Sequence, residues 1–118
     1  MARWSLAAFW LLAGSMHFLA PRFYDAIVPP PLDEHARAVT YASGVAELAG
    51  GVAVAAGARR FARLWLLGTL AAVYPANVWM AFNPERFDVP AWGLWARLPL
   101  QALFAWHVWL GTEERGVR

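Results

Sequence analysis

Residues 42–51, ASGVAELAGG, place one carboxylate, Glu47, in the middle of an otherwise apolar run from residue 39 to residue 58. A charged side chain at the centre of a membrane helix costs about 2.5 to 3.5 kcal/mol on insertion scales, so this acid should face a protein interior and have polar partners on other helices. On a helix, Thr40, Ser43 and Glu47 share a face with Gly50 and Gly51, and Ala42, Ala46, Ala49 and Ala53 add small side chains nearby. Small residues let membrane helices approach closely. Two readings of Glu47 stand side by side: a tie that holds a bundle together, or a group with a ligand or proton role.

The rest of the composition agrees with a membrane setting. A chain of 118 residues has room for one domain, and 60% hydrophobic residues is too apolar for an ordinary soluble one. The expected class is all-α: a polytopic membrane protein with four transmembrane helices in an antiparallel bundle. The absence of cysteine excludes disulfides, thiolate metal sites and a dithiol relay within the chain, so no cofactor is expected to be built from its own residues. The ten basic residues are all arginine, and they lie singly or in one short loop cluster instead of a basic tract interleaved with aromatics. Nucleic acid is therefore not an expected partner.

Taken in order, the chain predicts helices over about residues 4–20, 38–57, 61–82 and 92–111. The first carries His17 and lacks a clear small-x-small cleavage site, so it reads as a membrane helix and not as a signal peptide. Residues 21–37 hold Pro21, Pro29, Pro30, Pro31, Asp25, Asp33 and Glu34, a composition that breaks helices and prefers water or the interface. Arg59, Arg60 and Arg63 crowd the turn between the second and third helices. Pro75 frees the carbonyl of Ala71 in the third and predicts a kink beside Asn77. Trp92 and Trp95 at one end of the last apolar stretch, and Trp106 and Trp109 towards the other, have the look of interface belts. Pro99 is compatible with a helix starting near Trp92 or near Arg97, and the sequence leaves that open. Residues 112–118 form a charged tail.

Four crossings put both termini on the side of the arginine turn. That side holds Arg3, Arg59, Arg60, Arg63, Arg115 and Arg118 against Arg22, Arg37, Arg86 and Arg97 on the other. The positive-inside rule then predicts a multi-pass protein of the cytoplasmic (inner) membrane with both termini cytoplasmic. In that topology His17, Asn77, Arg97 and Gln101 fall in the outer half, with Glu47 deeper, about 15 Å from the loop. These five form the candidate ligand-binding or buried polar cluster, in which Arg97 is expected to balance Glu47 directly or through Asn77 or Gln101. One histidine and one acid without a further ligand at metal spacing predict no metal site. No residue is assigned a catalytic role, and His107 is given no part in the cluster.

Several short runs also resemble a known family. Gly14-Ser-Met-His17-Phe18 followed by Pro21, Tyr24 and Val28-Pro29-Pro30; Ser43-Gly44-Val-Ala-Glu47 with Gly50-Gly51; Arg59-Arg60; Tyr74-Pro75-Ala76-Asn77 with Met80; and Arg97-Leu-Pro99-Leu-Gln101 are together similar to the DoxX-like family of small integral membrane proteins. The resemblance covers nearly the whole chain. It implies a four-helix bundle in the cytoplasmic membrane, with His17, Glu47, Asn77, Arg97 and Gln101 at the family's recurring polar positions. It further implies an accessory subunit of a quinone-linked redox system, and the polar cluster itself reads as an outward-lying pocket for a lipid-like or quinone-like molecule. Expected partners are the lipid bilayer and a membrane or redox protein, or further copies of the chain. The rival reading is a non-enzymatic scaffold or assembly factor whose buried polar cluster is structural. A small carrier is a third reading, disfavoured because four short helices without an inverted repeat leave little room for alternating access.

Overall fold

Proline and glycine divide the chain. Pro21 restricts the residue before it, and Ala20 accordingly leaves the helical region (φ −134°, ψ 59°), which ends the first helix. Gly57 takes a positive φ of 84°, while the Ala58 N–H donates to the Ala53 carbonyl and the Gly57 N–H to that of Val54, a glycine-closed helix end that turns the chain at once into the next helix.

The computed structural model describes residues 2–30, 32–86 and 91–113. These are helical throughout, with no strand among them: α1 (Ala2–Leu19), α2 (Pro21–Asp25), α3 (Ala36–Ala55), α4 (Arg59–Phe82) and α5 (Ala91–Gly111), with 3-10 turns at Leu32–His35 and Pro84–Arg86. The expected all-α class is therefore observed. Two segments, Leu32–Ala55 and Arg59–Phe82, are long and apolar enough to cross a membrane. Among the other two expected spans, α1 carries Arg3 and His17, and α5 carries Arg97, Gln101 and His107 in otherwise apolar sequence. Pro99 lies inside α5, which begins at Ala91, and Pro75 lies inside α4. Pro31, residues 87–90 of the second loop, and the tail with Arg115 and Arg118 are outside the described residues.

The four long helices pack so that α1 and α4 each border both α3 and α5, leaving α3 and α5 diagonally opposed. Neighbours run antiparallel. Along α1 and α3 the register is marked by Arg3 against Val54, Leu11 against Gly51, Gly14 against Leu48 and His17 against Gly44. Leu6, Trp10, Val54, Leu66 and Val108 form the centre of the larger apolar core, and Met80, Ala81 and Leu94 a smaller one at the other end.

Two arginines close helix ends. Arg3 donates from Nε to the Val54 carbonyl (3.1 Å) and from Nη2 to that of Ala55, where α3 ends. Arg63 donates to Thr112 Oγ1 and to the Trp109 carbonyl (both 2.9 Å), where α5 ends, and lies 3.5 Å over the Trp109 ring. Cations at helix C-termini meet carbonyls that have no intrahelical partner and the negative end of the helix dipole. Replacing Arg63 with alanine is expected to fray the end of α5, read as faster amide exchange at Leu110 and Gly111 while Leu94 keeps its protection.

Candidate functional site

Two polar side chains meet where α1 packs closely on α3. His17 and Glu47 are 6% and 8% exposed, and Nε2 of the histidine lies 3.4 Å from a carboxylate oxygen of the acid. The close approach comes from Gly14 and Gly44, one turn earlier on each helix, whose backbones nearly touch. The other ring nitrogen is committed: His17 Nδ1 lies 2.8 Å from the Ala13 carbonyl, which can only accept, so Nδ1 carries a proton. Nε2 and Glu47 then share the remaining proton, as an acid donating to imidazole or as an imidazolium donating to carboxylate.

A third group covers the pair. The Tyr24 ring stacks on His17 with centroids 3.8 Å apart and planes at 17°. Tyr24 sits on α2, which continues the path of α1 along α3 after the break at Pro21. Burial pushes its phenol above the usual tyrosine value, the nearby Glu47 carboxylate adds to the rise, and Arg97 opposes it, so Tyr24 lies within the electrostatic reach of both charges.

Asp25 anchors this cover. It accepts from Thr40 Oγ1 at 2.6 Å and from Arg37 Nε at 2.8 Å, tying α2 to the first turns of α3. Burial would raise the carboxyl, but the hydrogen bonds from Thr40 and Arg37 and the arginine's charge outweigh it and hold Asp25 below the usual carboxylate range. A depressed carboxylate stabilises the fold above its unfolded pKa of about 4, and that contribution is lost as pH falls through the lower folded value. The thermal midpoint should therefore fall on acidification below about pH 4. Asp25→Asn should start lower and remove that part of the pH dependence.

Asn77 and Gln101 form a second polar contact, between α4 and α5. Asn77 Nδ2 donates to Gln101 Oε1 (3.2 Å), and Gln101 Nε2 donates to the Leu70 carbonyl (3.1 Å), one residue before the carbonyl that Pro75 cannot engage. Arg97, one turn before Gln101, is half-buried.

The structure thus brings His17 to Glu47 and Asn77 to Gln101, but it does not pair Glu47 with Arg97. Glu47 pairs with His17, and the arginine–carboxylate contact near the site is Arg37 with Asp25. The reason is the packing order: α5 lies diagonally across from α3, whereas α1 is its close neighbour. Asn77 and Gln101 likewise bond to each other and to backbone, and do not bridge to Glu47. No group of three or more His, Asp or Glu side chains able to hold a metal occurs among the described residues. Sequence reasoning missed Tyr24 and Asp25 as parts of the site. Tyr24 entered only as one residue of the runs that resemble a known family, and Asp25 only as a loop acid directly after Pro21. It also gave His107 no role, and the structure sets its Nε2 3.1 Å from Ser5 Oγ, a link between α5 and α1.

Fold and site define an all-helical protein with two segments able to span a membrane and a buried histidine–carboxylate pair between its first two long helices. The chain belongs to DUF8561, a domain of unknown function, whose family profile matches residues 6–111 and so spans all five residues of the candidate cluster. No curated protein and no solved structure matches it.

Proposed function

We propose that the protein is a four-span integral membrane protein of the cytoplasmic membrane, with both termini cytoplasmic. We infer that its outward-lying polar pocket binds a lipid-like or quinone-like molecule in the service of a redox partner. The observation that carries this reading is the buried His17–Glu47 pair, set in a molecule that exposes large apolar side chains on every long helix. These include Leu12 and Leu19 on α1, Val45 and Val52 on α3, Leu64 and Phe82 on α4, and Trp92 and Leu103 on α5. In water such surfaces would be a liability on every side, and in lipid they are the expected exterior. The long axis of 49 Å also suits a bilayer of about 40 to 45 Å including headgroups.

Within the pocket, His17 and Glu47 would exchange their shared proton with the hydroxyl or carbonyl oxygen of a bound head group. Tyr24 would hold the imidazole plane, Arg97 would supply the positive charge that Glu47 does not neutralise, and Asn77 with Gln101 would orient the ring. The assignment to quinone-linked redox systems follows the resemblance to DoxX-like proteins. A second reading, a scaffold with a purely structural cluster, is favoured by one fact: among the described residues no buried side-chain nitrogen or oxygen lacks a hydrogen-bond partner, so the fully buried polar atoms are satisfied without a ligand. Extraction in mild detergent followed by mass spectrometry of the co-purifying small molecules separates them. A stoichiometric prenyl-tailed quinone that is lost in Glu47→Gln supports the first, and a ligand-free protein bound to another membrane protein supports the second.

A further inference from the structure

At the end of the bundle opposite the His17–Glu47 pair, the ends of α1, α4 and α5 enclose a cleft of about 530 Å³ whose walls include Arg3, Trp4, Arg59, Leu110 and Glu113. Arg3 is not a loose surface cation. Its Nε and Nη2 are fixed on the last carbonyls of α3, and its guanidinium lies 4.5 Å over the Trp4 ring. The side chain of Arg59, the first residue of α4, makes no hydrogen bond or ion pair among the described residues, and two guanidinium groups against the one carboxylate of Glu113 leave the described walls net positive. Trp4, which is 58% exposed, and Leu110 supply an aromatic and aliphatic side to the same cleft.

A cationic floor beside an apolar wall fits a particular chemistry. Guanidinium groups match the oxygens of a phosphate with paired N–H donors, and basic clefts between helix ends on the cytoplasmic side take anionic headgroups. We propose that this cleft binds the phosphodiester of an anionic phospholipid, with the glycerol and upper acyl chain against Trp4 and Leu110. The proposal rests on the membrane reading above and is independent of the outward pocket.

Native mass spectrometry of the full chain in a neutral detergent tests it, with phosphatidylglycerol, phosphatidylcholine and inorganic phosphate as probes. The variants are Arg59→Gln and, as a control, Arg60→Gln, whose exposed side chain lies outside the cleft walls. One phosphatidylglycerol per chain should be retained by the natural protein and by Arg60→Gln. Loss of a charge-assisted hydrogen bond should weaken retention in Arg59→Gln by about tenfold. Equal retention of phosphatidylglycerol and phosphatidylcholine, or equal losses in the two variants, would overturn the proposal. Displacement of the lipid by millimolar inorganic phosphate would overturn the lipid assignment by showing that a free anion suffices. Failure of the membrane reading itself would appear earlier, as a chain that stays in solution without detergent.

Discussion

Leucine in place of Gly44 should separate α1 from α3 and take the candidate site with it. A Cβ at this position would lie 2.8 Å from the Cβ of His17, 2.7 Å from a ring carbon of Phe18 and 3.2 Å from the Gly14 carbonyl. Opposite it, a Cβ at Gly14 would meet the Leu48 backbone nitrogen at 2.9 Å and the Gly44 carbonyl at 3.0 Å. Main chain stands on both sides of the contact, so side-chain repacking cannot relieve a larger residue there. Overpacking usually costs about 1 to 3 kcal/mol, and a contact limited by backbone belongs at or above the top of that range. Gly50 differs in kind, because its Cβ would meet the side chains of Leu66 and Trp65 and not the main chain. Gly68, with nothing within 4 Å, is the control: leucine there should leave stability unchanged or raise it by up to about 1 kcal/mol through helix propensity. Thermal unfolding in detergent reads all three, and a Gly44→Leu midpoint equal to that of Gly68→Leu would mean that the α1–α3 contact is not the one described.

The second large effect concerns the pair that this contact brings together. Removing one partner of a buried pair strands the other, at a cost of about 3 to 5 kcal/mol for charged groups, whereas replacing both by apolar groups is often neutral. His17→Phe keeps a ring under Tyr24, and Glu47→Met keeps the volume of the acid. Each alone should destabilise strongly, and the double variant should cost less than the sum by about 1 to 3 kcal/mol, the range for residues in contact. Glu47→Met combined with Arg97→Gln should be additive, because those two residues form no ion pair in the structure. Additivity for His17 with Glu47 would remove the pair described here, and strong coupling of Glu47 to Arg97 would restore the pairing read from sequence.

That difference shows how far a single sequence reaches. Helix ends were readable because they depend on neighbours along the chain: Pro21 acts on Ala20, and Gly57 provides the positive φ at the end of α3. The need of Glu47 for a polar partner was readable for the same reason, as a carboxylate among apolar residues. Which residue answers it depends on the order of helices around the bundle, and that order is set by close approach at Gly14 and Gly44, where several other small-residue faces on α3 offered equal opportunity. A guanidinium was the more obvious counter-charge to a carboxylate, so electrostatics alone favoured Arg97. Helix α2 escaped notice because five residues after a proline carry too little periodicity to register, and its hold on α3 lies in Asp25, read only as a loop acid. Arg3 and Arg63 counted as topological charges, while their contacts with the ends of α3 and α5 needed the tertiary structure.

The central claim is that all four long helices cross the membrane around the His17–Glu47 pair. The cysteine-free chain allows a direct measurement, with single cysteines placed at Glu34, Arg60, Leu12 and Leu103 and treated with a membrane-impermeant maleimide. In intact cells Glu34→Cys should be labelled, Arg60→Cys should be labelled only after permeabilisation, and Leu12→Cys and Leu103→Cys should remain unlabelled until detergent is added. Labelling of Leu12→Cys and Leu103→Cys in intact membranes as readily as Glu34→Cys would place α1 and α5 in water and contradict the four-span account.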